Sequence, residues 1–366
     1  MSCDFTALAL AGVRGLQPYQ PGKPVEELER ELGISDIVKL ASNENPLGPS
    51  SAVAEALREA LPELARYPDG SAYALKRKLA AHLGVQEDML TIGNGSNDVL
   101  ELIGRAFLHV GAESIVSQHA FVVYPLVTRA IGAALTVIPA SDFGQDLVAT
   151  RAAIKPSTRC IFIANPNNPT GTWIARDAFC GFLAQVPEDV LVVLDEAYFE
   201  YVAEPDYPDG VSLLGEYPNL IVTRTFSKAY GLAALRVGYA VSNPQIADIL
   251  NRIRQPFNVN SLALVAAAAA LGDQPHIQRS AAANAEGMAL LRSGCDELGI
   301  GYVPSAGNFL TIDVGQDATP VYGALLREGV IVRPIGVYEM PQHLRVTVGT
   351  ESENQRFLSA LTTVLG

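Results

Sequence analysis

Cysteine is scarce in this chain of 366 residues: Cys3, Cys160, Cys180 and Cys295 stand far apart, with no CxxC pair and no histidine at ligand spacing. A disulfide framework, a redox dithiol and a zinc site are therefore poorly supported. The five histidines form no HExxH or comparable spacing, so no metal is expected. Positive charge is also in short supply. The 26 Lys and Arg against 39 Asp and Glu leave a net charge of −13. That balance argues against nucleic acid or an anionic membrane as partner, since both need clustered cations. It leaves room for a local basic pocket inside an acidic protein. Long hydrophobic runs are missing as well: the longest, near residues 262–268, is alanine-rich and reads as a buried helix rather than a membrane span. The start, Met1-Ser2-Cys3-Asp4-Phe5, has no basic stretch leading into an apolar core. No signal peptide is evident, and the cytoplasm is the expected compartment.

What is present is apolar and ordered. Hydrophobic residues make up 49% of the chain and charged residues only 18%, the composition of a well-packed globular protein. The length allows two domains, or one large domain with a smaller attachment. From about residue 90 to 225, continuous Val/Ile/Leu runs alternate with helical patterns, which describes a mostly parallel sheet covered by helices on both faces. The runs are expected as strands at 90–92, 114–116, 135–138, 160–164, 190–194 and 220–222. After Gly238 the pattern is helical around 244–254, 261–271 and on to about 298. The tail then mixes short apolar runs with helices and reads as a smaller α+β domain. The expected division is a large domain over 46–255 and a small one formed by 1–45 and 256–366.

Three polar groups fall just beyond strand ends in this scheme. Asn168 lies in Asn165-Pro166-Asn167-Asn168-Pro169-Thr170-Gly171, Asp195 ends the run 190–194, and Lys228 follows Thr223-Arg224-Thr225-Phe226-Ser227. In open α/β sheets, ligands bind at the carboxyl ends of the strands. A lysine among hydroxyls, with Arg236 eight positions on, is either a carbonyl-capturing amine beside an anion site or a solvated loop lysine beside a structural arginine. Gly93-Asn94-Gly95-Ser96-Asn97 joins a strand to a helix start. That is either an anion site made by helix N–H groups or an ordinary Ser or Asn cap. Asp195-Glu196, taken alone, equally reads as a helix cap.

Taken together, these groups supply what a pyridoxal-phosphate enzyme needs. Lys228 would form the Schiff base and then shuttle a proton. Asp195 would pair with the pyridine nitrogen and keep it protonated. Ser96, Thr225, Ser227, Arg236 and loop N–H groups would hold the phosphate, and Tyr198 and Asn168 would hydrogen-bond the ring hydroxyl.

Over nearly its whole length the chain resembles the fold-type I aminotransferases, and within them the histidinol-phosphate aminotransferases. The resemblance rests on Lys39-Leu40-Ala41-Ser42-Asn43-Glu44-Asn45-Pro46, Arg66-Tyr67-Pro68, Gly93-Asn94-Gly95-Ser96, the Asn165–Gly171 segment and Asp195-Glu196-Ala197-Tyr198. It extends through Thr225-Phe226-Ser227-Lys228, Gly231 to Arg236, Asn308-Phe309 and Leu344-Arg345-Val346-Thr347-Val348-Gly349. It implies that Arg345 receives the substrate's acidic end, with Arg333, Tyr19 and Asn308 assisting. It also implies a homodimer in which Tyr67 reaches the cofactor phosphate of the neighbouring subunit. Two positions depart from the common pattern. Phe121 stands where many relatives stack a tyrosine on the ring, which keeps the stacking but loses the phenol's hydrogen bond. Asn97 stands where relatives commonly have an acid, with Asp98 one place on.

The implied reaction is amino transfer between histidinol phosphate and 2-oxoglutarate in histidine biosynthesis. An aromatic amino-acid aminotransferase is the alternative, because an apolar pocket separates imidazole from phenyl by only about 1–3 kcal/mol. A decarboxylase of a phosphorylated amino acid and a non-catalytic cofactor-binding module stand further off.

Overall fold

The computed structural model describes residues 3–18 and 22–366. The apolar runs become one seven-stranded sheet, ordered Leu90–Gly93, Gly238–Ser242, Leu220–Thr225, Leu191–Asp195, Thr158–Ala164, Glu113–Ser117 and Ala134–Ile138. Gly238–Ser242 is antiparallel to both neighbours, while the other strands share one direction. This strand was not expected from the sequence, where Tyr239-Ala240-Val241 is a brief apolar run with no helix before it. The connection from Thr225 to Gly238 holds only the short 3-10 turn Ala233–Leu235. Without a crossover helix the chain returns antiparallel.

Alternate residues of each strand face opposite sides. Ile161, Ile163, Val192, Leu194 and Val222 enter one core, with helices Tyr73–Leu83, Arg176–Leu183 and Ser261–Ala270 packed over them. Cys160, Phe162, Val193, Ile221 and Ala240 enter the other, under Ser96–Phe107, Val123–Ile131 and Pro244–Ile253. The helix Ser261–Ala270 also packs on Ser51–Ala60 and Tyr73–Leu83, so it sits with the large sheet although it lies beyond residue 255.

The last third builds a second, antiparallel sheet in the order Arg333–Pro334, His343–Thr347, Phe309–Asp313, Gly301–Val303. Its core collects Leu310, Ile312, Leu325, Leu344, Val346 and Phe357. Leu40 from the N-terminal segment joins this core, and Val38–Lys39 pairs parallel with Val330–Ile331. The 24-residue helix Gln274–Glu297 links the two units: Ile277 enters the first core, and Met288 and Leu291 enter the third.

Glu196 is not a helix cap. It is fully buried and accepts from Arg224 Nε at 2.9 Å and Nη2 at 2.7 Å, while Arg224 Nη2 also reaches Asp209 Oδ1 at 2.7 Å. The guanidinium lies 3.5 Å over the Phe199 ring. Burial works against the arginine's charge, but Glu196 first, then Tyr239 and Asp209, outweigh it and hold its pKa well above the ordinary value. Replacing Arg224 by methionine leaves Glu196 buried and uncompensated, which costs about 3–5 kcal/mol. Urea unfolding should show that loss, and a loss below about 1 kcal/mol would refute the assignment.

Candidate active site

The sheet register brings Ala164, Asp195, Thr223 and, through Thr225, Gly238 and Gly93 to one edge. A cavity of about 270 Å³ opens there, lined by Ser96, Asn97, Phe121, Asn168, Asp195, Tyr198, Thr225, Ser227, Lys228, Arg236, Arg333 and Arg345. These are most of the residues singled out from the sequence. Asn308 lies behind the wall instead, its amide Nδ2 donating to the Asn43 carbonyl at 3.1 Å. Tyr67 is off this cavity, 83% exposed, with its ring stacked 4.9 Å from Phe257. Tyr19 lies outside the described residues.

On one side the groups are shaped for an anion. The helix Ser96–Phe107 begins after Gly95, and no side chain caps it, so its first N–H groups are not claimed by a cap. The Asn94 N–H is instead taken by Asp98 Oδ2 at 2.8 Å, and Asn258 Nδ2 holds the same oxygen at 2.8 Å. The carboxylate one place beyond Asn97 therefore braces the loop. Gly95 has φ of +87°, and a Cβ there would come within 2.7 Å of Arg236 Nη2. At Gly238 a Cβ would meet the Ser96 nitrogen at 2.4 Å. Both glycines let the loop and the arginine close together. Arg236 Nη1 donates to Ser227 Oγ at 3.2 Å, and the Ser227 N–H donates to Thr225 Oγ1 at 3.1 Å.

At the centre, Asp195 is buried with one oxygen satisfied. Tyr124 donates to Oδ2 at 2.8 Å, while Oδ1 has no hydrogen-bond partner. Burial pushes the carboxyl above the ordinary aspartate range, against Tyr124, Thr223, the Ala197 N–H and the Lys228 charge. Tyr124 escaped the sequence reading. The available signal was a phenol on the buried face of an expected helix, since a buried tyrosine usually finds a partner for its hydroxyl. Its own pKa is raised well above 10 by burial and by Asp195, so it remains a donor. Its ring stacks on Phe162 and meets Phe121 edge-on at 5.8 Å.

Lys228 Nζ donates to the Ser42 carbonyl at 3.1 Å and lies 5.8 Å from the Tyr198 ring. Burial first, then the Arg345 and Arg236 charges, lower its pKa to about 7, against the raising effect of Glu44 and Asp195. Arg345 donates to Asn168 Oδ1 and to the Ala41 carbonyl, both at 2.6 Å. Strand pairing sets Arg333 directly opposite Arg345, so both cations share one face.

An orphaned buried carboxylate oxygen, an uncapped helix start with an arginine over it, and a lysine of lowered pKa fit the ring nitrogen, phosphate and aldehyde of pyridoxal phosphate. The comparisons with known proteins agree. A family profile for aminotransferase class I and II matches residues 35–361. Histidinol-phosphate aminotransferase 2 of Pseudomonas fluorescens (strain Pf0-1) is 59% identical, over 100% of this chain and 99% of that one. Histidinol-phosphate aminotransferase 1 of Nitrosococcus oceani is 55% identical over 99% of this chain and 98% of its own. The crystal structure of histidinol-phosphate aminotransferase from Sinorhizobium meliloti in complex with pyridoxal-5'-phosphate superposes with a TM-score of 0.90 at 31% identity, covering 97% of this chain and 96% of that one. The chain belongs to the class I and II aminotransferases. It is a pyridoxal-phosphate-dependent transaminase of fold type I.

A lysine held near neutrality has a specific kinetic signature. Capture of pyridoxal phosphate by the cofactor-free protein should quicken as pH rises toward about 7, where the free amine becomes the major form, and then level off. An unperturbed lysine would keep gaining about tenfold per pH unit up to about pH 10. Stopped-flow absorbance between pH 5.5 and 9.5 separates the two outcomes.

Proposed function

We propose that this enzyme interconverts histidinol phosphate and 2-oxoglutarate with imidazole-acetol phosphate and glutamate, a step of histidine biosynthesis. The observation that carries the reading is the juxtaposition of Arg333 and Arg345 on the wall of the cavity that holds Lys228. One bidentate arginine suits a carboxylate, while two facing cations suit the larger and more charged phosphate. The identity with relatives named for this substrate supports the same choice.

Pyridoxal phosphate, when bound, supplies an aldehyde that captures the substrate amine and a ring that draws electrons from the carbon bearing it. The protein's residues do the rest. Lys228 Nζ, its pKa lowered to about 7, would take the proton from that substrate carbon and return it to the cofactor carbon on the far side of the nitrogen. Asp195, with Oδ2 tied to Tyr124, would hold the ring nitrogen through Oδ1 and keep it protonated. Ser96, Asn97, Thr225, Ser227 and Arg236 would hold the cofactor phosphate, Asn168 and Tyr198 the ring hydroxyl, and Phe121 the ring face. Arg345, with Arg333 and Tyr19, orients the substrate anion, and Asn308 acts from behind through the loop at Asn43.

A homodimer belongs to the same reading. The exposure of Tyr67, stacked on Phe257 and away from its own cavity, supports a role at the phosphate of a second copy. The same reading divides the chain into a large and a small unit, with Ser261–Ala270 on the large side. No helix among the described residues is long and apolar enough to cross a membrane, which suits the cytoplasm.

Purified enzyme with 2-oxoglutarate should form glutamate from histidinol phosphate at least tenfold more efficiently than from phenylalanine. Equal efficiencies would favour an aromatic aminotransferase, and CO₂ release would favour a decarboxylase. Lys228→Ala should abolish turnover. Arg333→Ala should raise KM for histidinol phosphate by tenfold or more, about 1.4 kcal/mol, and leave KM for 2-oxoglutarate within twofold. Equal rises for both substrates would remove Arg333 from phosphate recognition.

A further inference from the structure

The loop spanning residues 41–45 enters the site from the N-terminal segment, and hydrogen bonds from three directions meet on it. Arg345 holds the Ala41 carbonyl and Lys228 the Ser42 carbonyl. Asn43 sits between these groups and Asn45, whose amide donates to the Ala229 carbonyl and to Ser280 Oγ. Asn43 is 1% exposed and has φ of +54°, a left-handed conformation that asparagine tolerates better than most residues.

The orientation of the Asn43 amide follows from its partners. Its backbone N–H donates to Thr347 Oγ1 at 2.9 Å, and Thr347 Oγ1 donates to Asn43 Oδ1 at 3.2 Å. A hydroxyl has one proton, so the threonine's donor is used on the amide oxygen. That turns the Nδ2 donor toward Tyr198, whose hydroxyl oxygen accepts at 2.8 Å. Asn308 Nδ2 clamps the Asn43 carbonyl at 3.1 Å. Because Nδ2 only donates, the Tyr198 proton has no acceptor on that side. Tyr198 is 3% exposed and lines the cavity, and burial raises its pKa to about 12. Its hydroxyl therefore keeps a proton that the cavity side must accept.

We propose that Asn43 is a positioning residue: its amide fixes the direction of the Tyr198 hydroxyl, so that the proton is donated to the ring oxygen of the bound cofactor. The proposal rests on the reading that Tyr198 meets that oxygen. Thr347, two residues from Arg345 on the same strand, sets the amide's orientation, so the chain of bonds runs from the substrate-binding strand to the cofactor.

Asn43→Asp tests this in the full-length protein loaded with pyridoxal phosphate. Aspartate keeps the size and suits the left-handed backbone, but its second oxygen accepts, drawing the Tyr198 proton away from the cavity. A ring oxygen that loses its donor becomes more basic and holds the neighbouring proton to higher pH. The visible absorbance of the bound cofactor should therefore titrate about one pH unit higher, the size of a lost charge-assisted hydrogen bond. Tyr198→Phe should produce the same shift, and the double variant should add nothing further. Equilibrium dialysis should show about tenfold weaker cofactor binding in each. Asn43→Gly, which keeps the backbone conformation and removes the amide, should shift the titration in the same direction by less, and it serves if the aspartate variant does not fold. Parental titration in both Asn43 variants, with Tyr198→Phe shifted, would overturn the proposal alone. So would full additivity, because a plain field effect of the new carboxylate persists without the phenol. An unshifted Tyr198→Phe would remove the reading beneath it, and the proposal with it.

Discussion

A buried carboxylate with one oxygen held by Tyr124 and the other without a partner is the constraint on which this site depends. Burying a charge without full compensation is costly, and Asp195 is stable as an anion only if a cationic or strongly donating group meets Oδ1. In the proposed reading, the cofactor's ring nitrogen would supply that group. The strand Leu191–Asp195 delivers the carboxylate from the centre of the sheet, so its position is set by the ladder on both sides. Tyr124 then fixes its rotation from a helix packed on one face. Nothing in this arrangement relies on a mobile loop.

Cations are gathered around that carboxylate in a protein that is acidic overall. Lys228, Arg236, Arg333 and Arg345 share one cavity, although the chain carries thirteen more negative than positive formal charges. Concentrating positive charge there serves two ends. It adds repulsion to the burial that lowers the Lys228 pKa, and it makes a well for phosphate and carboxylate groups. The Arg224, Glu196 and Asp209 cluster is a separate buried ion-pair network that compensates its own charges.

Much of the architecture was readable from residue order. The parallel strands appear as Val/Ile/Leu runs because both of their faces are buried, and the strand-end positions of Asn168, Asp195 and Lys228 follow from that. The antiparallel strand Gly238–Ser242 was not readable: five residues with a glycine at the start carry little periodic signal, and only the absence of a crossover helix forces the direction. The helix Ser261–Ala270 is uniformly apolar, and its pattern cannot say which of two cores it joins. Tyr124 and Asn43 were visible as residues but not as partners, because their hydrogen bonds span 71 and 155 positions.

By itself, the sequence determined the cofactor and the class of chemistry, since a strand-end lysine, aspartate and asparagine with a glycine-rich helix start require no knowledge of side-chain directions. Tertiary structure decided which groups touch. It turned Glu196 from a possible cap into a buried ion-pair partner and Asp98 into a loop brace. It put Asn308 behind the wall rather than on it. Lys228, with Ser227 before it and Arg236 after it, was an amine beside an anion site in the sequence. Burial in the folded site, joined by the charge of Arg345 from 117 positions away, is what lowers the Lys228 pKa to about 7. Electrostatic shifts depend on distance in space, and the order of residues along the chain does not contain that distance.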